Sequence, residues 1–302
     1  MALLSSCDHK PLWMPETPLE ETEVAYDWSA SPDAAPEGMT LNMYPVATWE
    51  KPWIYNLNPA GGIIDVPEGT YRAISYNNDT DGILFRNTGN YEKTEVYTRN
   101  GELLDGLGEA YHGTLPSRSV DEPVVITPDM MWGVAATVTA GEGKIRLTPH
   151  RLTPRYSFTV TDVSNLDGAV KMCGSISGLS GGIFLNSGKS SVYPVTMPAP
   201  ARAEGDSGIS GGMTTFGIPA DPSAANILSI YIWLKDGSKH NFNFDVTLQV
   251  RHAADPMNVT LHVAGIDLPE PAPAPDSPGT GGGIGVDVDS WHTVDIELKP
   301  IQ

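Results

Sequence analysis

A short loop rich in side-chain oxygens is the first candidate for chemistry in this sequence. Residues 77–82 read NNDTDG, and oxygen side chains at alternate positions before a glycine are typical of the start of a calcium loop. The glutamate that should close such a loop falls on Thr88. Asn and Asp also favour turns by bonding to their own backbone. We therefore predict a turn here and no metal site.

Two further segments resemble catalytic or phosphate-binding motifs. Ser180 lies in GLSGG, residues 178–182, which has the residue types of a nucleophile elbow, but that elbow needs a parallel sheet with alternating helices. Residues 187–190, SGKS, end like a phosphate loop, yet the upstream glycine position holds Ile183. The histidines show no metal-ligand spacing. We expect a non-enzymatic protein without catalytic residues, metal or cofactor.

Four tryptophans could form a platform on which sugar rings stack. They are Trp49, Trp53, Trp233 and Trp291. Aromatic residues more often fill the cores of sandwiches, so we hold a glycan-binding surface as the alternative function.

The clearest element that could position any of these groups is a hairpin over residues 227–250. Leu228, Ile230, Ile232 and Leu234 alternate on the first arm, and period-two spacing places alternate residues on one face of a strand. The dipeptide Asp236-Gly237 suits a tight turn. The second arm alternates in the same way at Phe242, Phe244, Val246, Leu248 and Val250. One apolar face per strand predicts a β-sandwich.

The amino-acid composition indicates the fold class and disfavours some classes of partner. Gly (31) and Pro (26) are abundant, no apolar 3.6-residue pattern is sustained, and we therefore predict an all-β protein. The formal charge of −19 disfavours binding to nucleic acid. No apolar stretch is long enough to span a membrane. With only two cysteines, Cys173 is best interpreted as a small buried residue.

The order of the strands predicts two tandem domains. We assign residues 1–18 to a tether, 19–151 to an N-terminal β-sandwich, 152–268 to a second β-sandwich, and 269–302 to a Pro/Gly-rich linker with a C-terminal strand. Val24, Tyr26 and Trp28 alternate in the first expected strand of the N-terminal domain. Residues 101–119 have no clear period and form an irregular insert.

The C-terminal strand follows the linker and carries an alternating apolar face. Val294, Ile296 and Leu298 form that face, and their burial would contribute on the order of 5–8 kcal/mol. Such a strand needs a sheet to lie on. It either folds back onto its own domain or adds to an open groove of another subunit.

The first residues resemble a lipoprotein processing site. Residues 4–7, LSSC, place an aliphatic and two small residues before Cys7, which would carry the lipid. The basic and apolar regions of a signal peptide are almost absent. We expect lipidation at Cys7, with an ordinary thiol as the alternative.

Several segments together resemble one family. They are CDHK (7–10), YDWSASPDAAPEGM (26–39), SYNNDTDGILFRN (75–87), VVITPDMMWG (124–133), LTPHRLTPRYSFTV (147–160) and MCGSISGLSGGIFLNSG (172–188). The chain resembles an uncharacterised family of Bacteroidales surface lipoproteins, a domain of unknown function that is similar to the fimbrillins. The resemblance covers nearly all of the chain from Cys7.

The resemblance implies a pair of transthyretin-like β-sandwiches, a lipid anchor in the outer membrane, and a fimbrial accessory, anchor, tip or adhesin role. Fimbrillins assemble when a trypsin-like protease removes the first strand and a partner's C-terminal strand fills the groove. By this likeness residues 23–28 cover the groove and Val294, Ile296 and Leu298 belong to the donor strand. The following loop, residues 29–38, contains no Arg or Lys. The resemblance therefore implies a subunit that keeps its first strand.

Overall fold

The computed structural model describes residues 18–47, 51–116, 121–270 and 290–297. Short strands dominate it, as the all-β prediction requires. The strands up to the middle of the chain are β1 (Leu19–Tyr26), β2 (Met39–Pro45), β3 (Trp53–Leu57), β4 (Gly61–Pro67), β5 (Gly69–Asn77), β6 (Ile83–Arg86), β7 (Glu95–Thr98), β8 (Trp132–Ala140), β9 (Ile145–Leu147) and β10 (His150–Arg151).

The second half continues with longer strands. They are β11 (Arg155–Ser164), β12 (Ala169–Ser180), β13 (Gly182–Phe184), β14 (Lys189–Ser190), β15 (Pro194–Glu204), β16 (Gly208–Thr214), β17 (Ile227–Leu234), β18 (Lys239–Asp245), β19 (Asn258–Asp267) and β20 (Trp291–Ile296). One short α-helix, α1 (Thr247–Arg251), and four 3₁₀ turns complete the described elements; the turns are Trp28–Ala30, Tyr91–Lys93, Asp105–Leu107 and Leu166–Gly168.

Two sheets enclose the core of the N-terminal part. One has the order β4-β1-β9 and the other the order β10-β8-β5-β2-β3. Alternating side chains of both sheets meet in a buried cluster that includes Met39, Leu41, Met43, Ile64 and Leu147. This layered packing is the sandwich that the period-two pattern predicts.

The second half is organised on one eight-stranded sheet with the order β19-β11-β16-β15-β12-β17-β18-β20. Its inner pairs are antiparallel, but both outermost strands, β19 and β20, pair in parallel with their neighbours. Phe158, Phe216 and Phe244 are among the largest fully buried side chains of its core.

A third set of strands joins the two halves. The sheet with the order β14-β13-β7-β6 pairs β13 with β7, which lie on opposite sides of the expected boundary at residue 152. Residues of the first half such as Tyr44, Ile74 and Val96 also belong to the same core cluster as Phe158. The division into two tandem transthyretin-like domains stays a prediction.

The hairpin is confirmed over most of its length. Leu228, Ile230, Ile232 and Leu234 are buried on β17, and Phe242 and Phe244 are buried on β18. The predicted second arm is wrong beyond Asp245, because α1 begins at Thr247 and leaves Leu248 71% exposed. The Asp245 carboxylate accepts a hydrogen bond from the Thr247 N–H (2.9 Å) and holds this change of direction.

The irregular insert covers the outer face of the same hairpin. Leu103 and Leu104 pack with Cys173, Tyr231 and Trp233 in a separate buried cluster. Strand β17 is therefore buried on both faces. The interpretation of Cys173 as a small buried residue is confirmed, since it is 0% exposed.

Candidate functional site

The oxygen-rich loop at residues 77–82 is held by its own hydrogen bonds. The Asn77 amide donates to Asp79 (2.7 Å), and Asp79 also accepts from the Glu37 N–H (2.9 Å). The Asp129 carboxylate accepts from the backbone N–H groups of Asp81 and Gly82. These partners explain the polar residues as a structural turn. Among the described residues no group of three or more His, Cys, Asp or Glu side chains could hold a metal ion.

Ser180 has no access to solvent. It is 0% exposed, and its hydroxyl donates to the backbone oxygen of Gly182 at 2.7 Å. Two residues before Ser180, Gly178 has φ +68° where the register of β12 shifts, and a Cβ there would lie 2.5 Å from the Ala225 oxygen. The GLSGG segment thus forms the bulged end of a strand. A hydroxyl in this setting cannot act as a nucleophile.

The sequence did not point to Glu122, which stabilises this bulge. Glu122 is 8% exposed, and its Oε1 accepts hydrogen bonds from the Gly178 N–H and the Thr196 hydroxyl, both at 2.8 Å. A lone glutamate beside an irregular insert carries no spacing signal, so only the fold identifies this role.

The three described tryptophans of the expected sugar platform do not form one surface, although two of them are in contact. Trp233 is buried and contacts Trp291 edge-on, with ring centroids 4.8 Å apart. Trp53 packs against the N-terminal core instead, and Trp49 lies outside the described residues. Their principal contacts are therefore internal.

The first strand is an integral part of the N-terminal core. In β1, Val24 is 1% and Tyr26 8% exposed, and the Tyr26 hydroxyl lies 2.6 Å from Ser75 Oγ in the facing sheet. Burial raises the pKa of Tyr26 to about 12. The expected end of the strand at Trp28 is wrong, because β1 ends at Tyr26. Trp28 lies in a 3₁₀ turn, where its indole N–H donates to the Pro59 oxygen at 2.8 Å.

Strand β1 fits tightly between its neighbours. It is antiparallel to β4 and parallel to β9. Gly61 on β4 has φ +115°, and a Cβ there would lie 2.0 Å from the Val24 oxygen. Only glycine allows this close approach. The loop that follows β1 is compact, since the Ser31 N–H donates to the Trp28 oxygen and the Ala34 N–H to the Ser31 oxygen.

The last strand lies at the edge of the eight-stranded sheet of the same chain. Strand β20 pairs in parallel with β18, in the register Phe242 to Val294 and Phe244 to Ile296. Val294 is 43% exposed, and Ile296 is partly buried against the core. Leu298 lies outside the described residues. The apolar face therefore points to the core side but is much less buried than that of β1.

Polar and aromatic side-chain contacts also attach β20 to the neighbouring strand. Thr293 donates to Asn241 at 2.7 Å, and Asn243 donates to Asp295 at 2.8 Å. The His240 and His292 rings stack with centroids 5.0 Å apart. Burial and the neighbouring His292 lower the pKa of His240, and Asp236 partly opposes them. Strand β20 is therefore attached by its parallel ladder with β18 and by these side-chain contacts, but none of its own residues is fully buried.

The chain can be compared with known proteins. Residues 6–199 match the model of a family described as a domain of unknown function, DUF5119. The chain belongs to this family. A protein of Bacteroides ovatus described as a candidate fimbrium anchoring subunit, Fim4B, is 28% identical over 185 residues, which are 60% of this chain and 51% of that protein. This chain thus matches about half the length of that relative.

Solved structures share the fold of this DUF5119 protein. A candidate adhesin from Bacteroides ovatus aligns over 90% of this chain and all of its own, with a TM-score of 0.64 and 21% identity. The fimbrial anchor protein Mfa2 of Porphyromonas gingivalis aligns over 82% of this chain and 90% of its own, with a TM-score of 0.52 and 11% identity. At such low identity these likenesses establish the all-β architecture alone. In the described residues no helix is both long and apolar enough to span a membrane.

Proposed function

We propose that this DUF5119 protein is a non-enzymatic accessory subunit of a fimbrium, an anchor, tip or adhesin component displayed at the cell surface. The description of its relative as a candidate anchoring subunit and the shared fold with a fimbrial anchor protein support this role. The observation that carries the proposal is the contrast between a tightly buried first strand and a weakly seated last strand.

In this proposal β1 stays in place and β20 is the strand that joins a partner. Removing β1 would open the core around Val24 and Tyr26, and the loop after it offers no Arg or Lys to a trypsin-like protease. Strand β20 keeps few fully buried groups, so it exchanges the β18 edge for the groove of another fimbrial subunit at a small net cost.

We further propose that a lipid on Cys7 holds the subunit in the outer membrane. Cys7 and the tether before β1 lie outside the described residues. The test substitutes each cysteine separately in the bacterium that makes the protein. Cys7→Ser should abolish incorporation of labelled palmitate and release the protein and its fimbriae into the medium. Cys173→Ser is the matched control and should remain membrane-bound. Retention of the Cys7→Ser protein in the membrane would contradict the anchor.

Strand donation is tested by charge placed on the face of β20. Val294→Asp and Ile296→Asp should leave the far-ultraviolet circular dichroism unchanged and abolish co-purification with fimbrial subunits identified by mass spectrometry. Leu248→Asp, at a more exposed apolar position away from β20 (71% exposed against 43% for Val294), is the control and should co-purify normally. Unfolding of the second half by either β20 substitution would show that the strand belongs to its own domain.

A further inference from the structure

A second surface feature lies where the two halves share a sheet. An open cleft of about 430 Å³ is bounded by β6, β7 and the segment that leads into β15. Its lining includes Arg86, Tyr97, Arg99, Gly181, Ser191 and Tyr193. Its size falls within the range of about 300–1,000 Å³ that is usual for small-molecule sites.

A fixed guanidinium forms one wall of this cleft. Arg86 donates from Nε and Nη2 to the two carboxylate oxygens of Glu95 at 2.8 and 2.6 Å. Its guanidinium carbon also lies 4.9 Å from the centroid of the Tyr97 ring. The Glu95 side chain is 5% exposed, whereas that of Arg86 is 45% exposed. The buried carboxylate therefore orients a cation whose remaining N–H groups face solvent.

One side of the cleft is lined by a glycine, Gly181, which presents no side chain. A Cβ on Gly181 would lie 3.0 Å from a Val195 methyl group. Tyr193, which is 69% exposed, stands at the rim of this open space. An exposed aromatic ring beside a glycine can pack against the apolar C–H face of a sugar ring.

The cleft presents arginine side chains on a protein of formal charge −19. Among its described lining residues none is Asp or Glu, and two are Arg. Arg86 is neutralised by Glu95, so Arg99 supplies the positive charge. Arg99 also lines the neighbouring cleft, together with Glu102, Asp105 and Glu109. A positively charged side chain on an acidic surface attracts small anions. The open cleft also has room for neutral groups attached to such an anion.

We propose that this cleft binds a carboxylated sugar, of the uronic or sialic acid class, at the end of a surface glycan. The sugar carboxylate contacts Arg99 and the free N–H groups of Arg86, and the sugar ring stacks on Tyr193. Ser191 and Asn100, which also line the cleft, provide polar groups for the hydroxyls. This binding is independent of strand exchange, so the two proposals can fail separately.

The test measures binding of glucuronic acid and N-acetylneuraminic acid by saturation-transfer NMR, with glucose as the neutral probe. Both acids should bind in the millimolar range or tighter, and binding should weaken as salt is raised from about 20 to 300 mM because exposed charges are screened. Glucose should bind at least tenfold more weakly.

Substitutions locate the binding. Arg99→Ala and Tyr193→Ala should each weaken affinity for the acids at least tenfold. Arg202→Ala, at an exposed arginine far along β15 from the cleft, should leave affinity unchanged. Unchanged thermal midpoints establish that each variant is folded. The proposal is overturned if neither acid binds, if glucose binds equally well, if the cleft variants bind normally, or if only an acidic peptide such as tetraglutamate occupies the cleft.

Discussion

Valine-to-alanine substitutions in the first and last strands provide a matched comparison of how firmly each is held. Val24 on β1 is 1% exposed, whereas Val294 on β20 is 43% exposed. The same two methyl groups are removed in both cases, and the loss of strand propensity is similar. The difference between the two losses of unfolding free energy therefore reports the difference in burial of the two side chains.

The expected loss of unfolding free energy follows from the number of buried methyl groups that are removed. Two fully buried methyl groups contribute about 1.6 kcal/mol of transfer free energy, and the cavity left among Met39, Ile64 and Leu147 raises the cost. We expect Val24→Ala to lower the free energy of unfolding by about 2–3 kcal/mol. Roughly half of the Val294 side chain is already exposed, and solvent fills the space left by the two methyl groups. We therefore expect Val294→Ala to lower the free energy of unfolding by less than about 1 kcal/mol.

Urea unfolding followed by tryptophan fluorescence measures both variants against the unsubstituted protein. Equal losses of about 2–3 kcal/mol would show that β20 is as integral to its sheet as β1, and strand donation would lose its physical basis. A loss below about 1 kcal/mol for Val24→Ala would instead show that the core tolerates weakening of β1, contrary to its proposed retention.

Three further outcomes are expected. Lowering the pH from 7.5 to 5 should lower the protection factors of the β20 amides, which correct for the slower intrinsic exchange at acid pH, because burial and His292 hold the pKa of His240 below its usual 6.5 and protonation therefore opposes docking as the pH falls below 6.5; His292→Asn should reduce this pH dependence. In a Cys7→Ser background Cys173 should not react with a thiol reagent at pH 8 until urea is added, because burial raises the pKa of its thiol to about 12; rapid labelling of the folded protein would contradict this. Glu122→Ala should lower the free energy of unfolding in urea by about 2–4 kcal/mol, because it leaves the buried Gly178 N–H without its acceptor and removes the hydrogen bond from the Thr196 hydroxyl, and Glu122→Gln should lower it less; a loss below about 1 kcal/mol for alanine would show that the bulge does not need the carboxylate.

The sequence predicted the hairpin well because one apolar face repeats at every second residue. It failed at the end of the second arm for a specific reason. Positions 246 and 250 are compatible both with a strand and with one helical turn, and both residues are buried. Only Leu248 distinguishes the two, and alternation placed it inside although it is 71% exposed.

Features that depend on distant segments could not be predicted. The insert at residues 101–119 shows no period, since only a few of its residues, among them Leu103 and Leu104, cover the outer face of β17. The cleft could not be predicted either, because Arg86 and Tyr193 lie far apart in the sequence and are brought together by long-range pairings such as that of β7 with β13. The two terminal strands, in contrast, were identified by their own alternation.

The loop after β1 has a practical consequence for proteomics. Both lysines that flank this region, Lys10 and Lys51, are followed by proline, and proline restrains the residue before it and lacks an N–H group, so peptide bonds of this kind resist trypsin. The first ordinary tryptic bond is Arg72-Ala73. Digestion of fimbriae isolated from cells would therefore yield a single long peptide that ends at Arg72 and carries β1 within it. Mass spectrometry of that one fragment reads directly whether the subunit was trimmed before assembly.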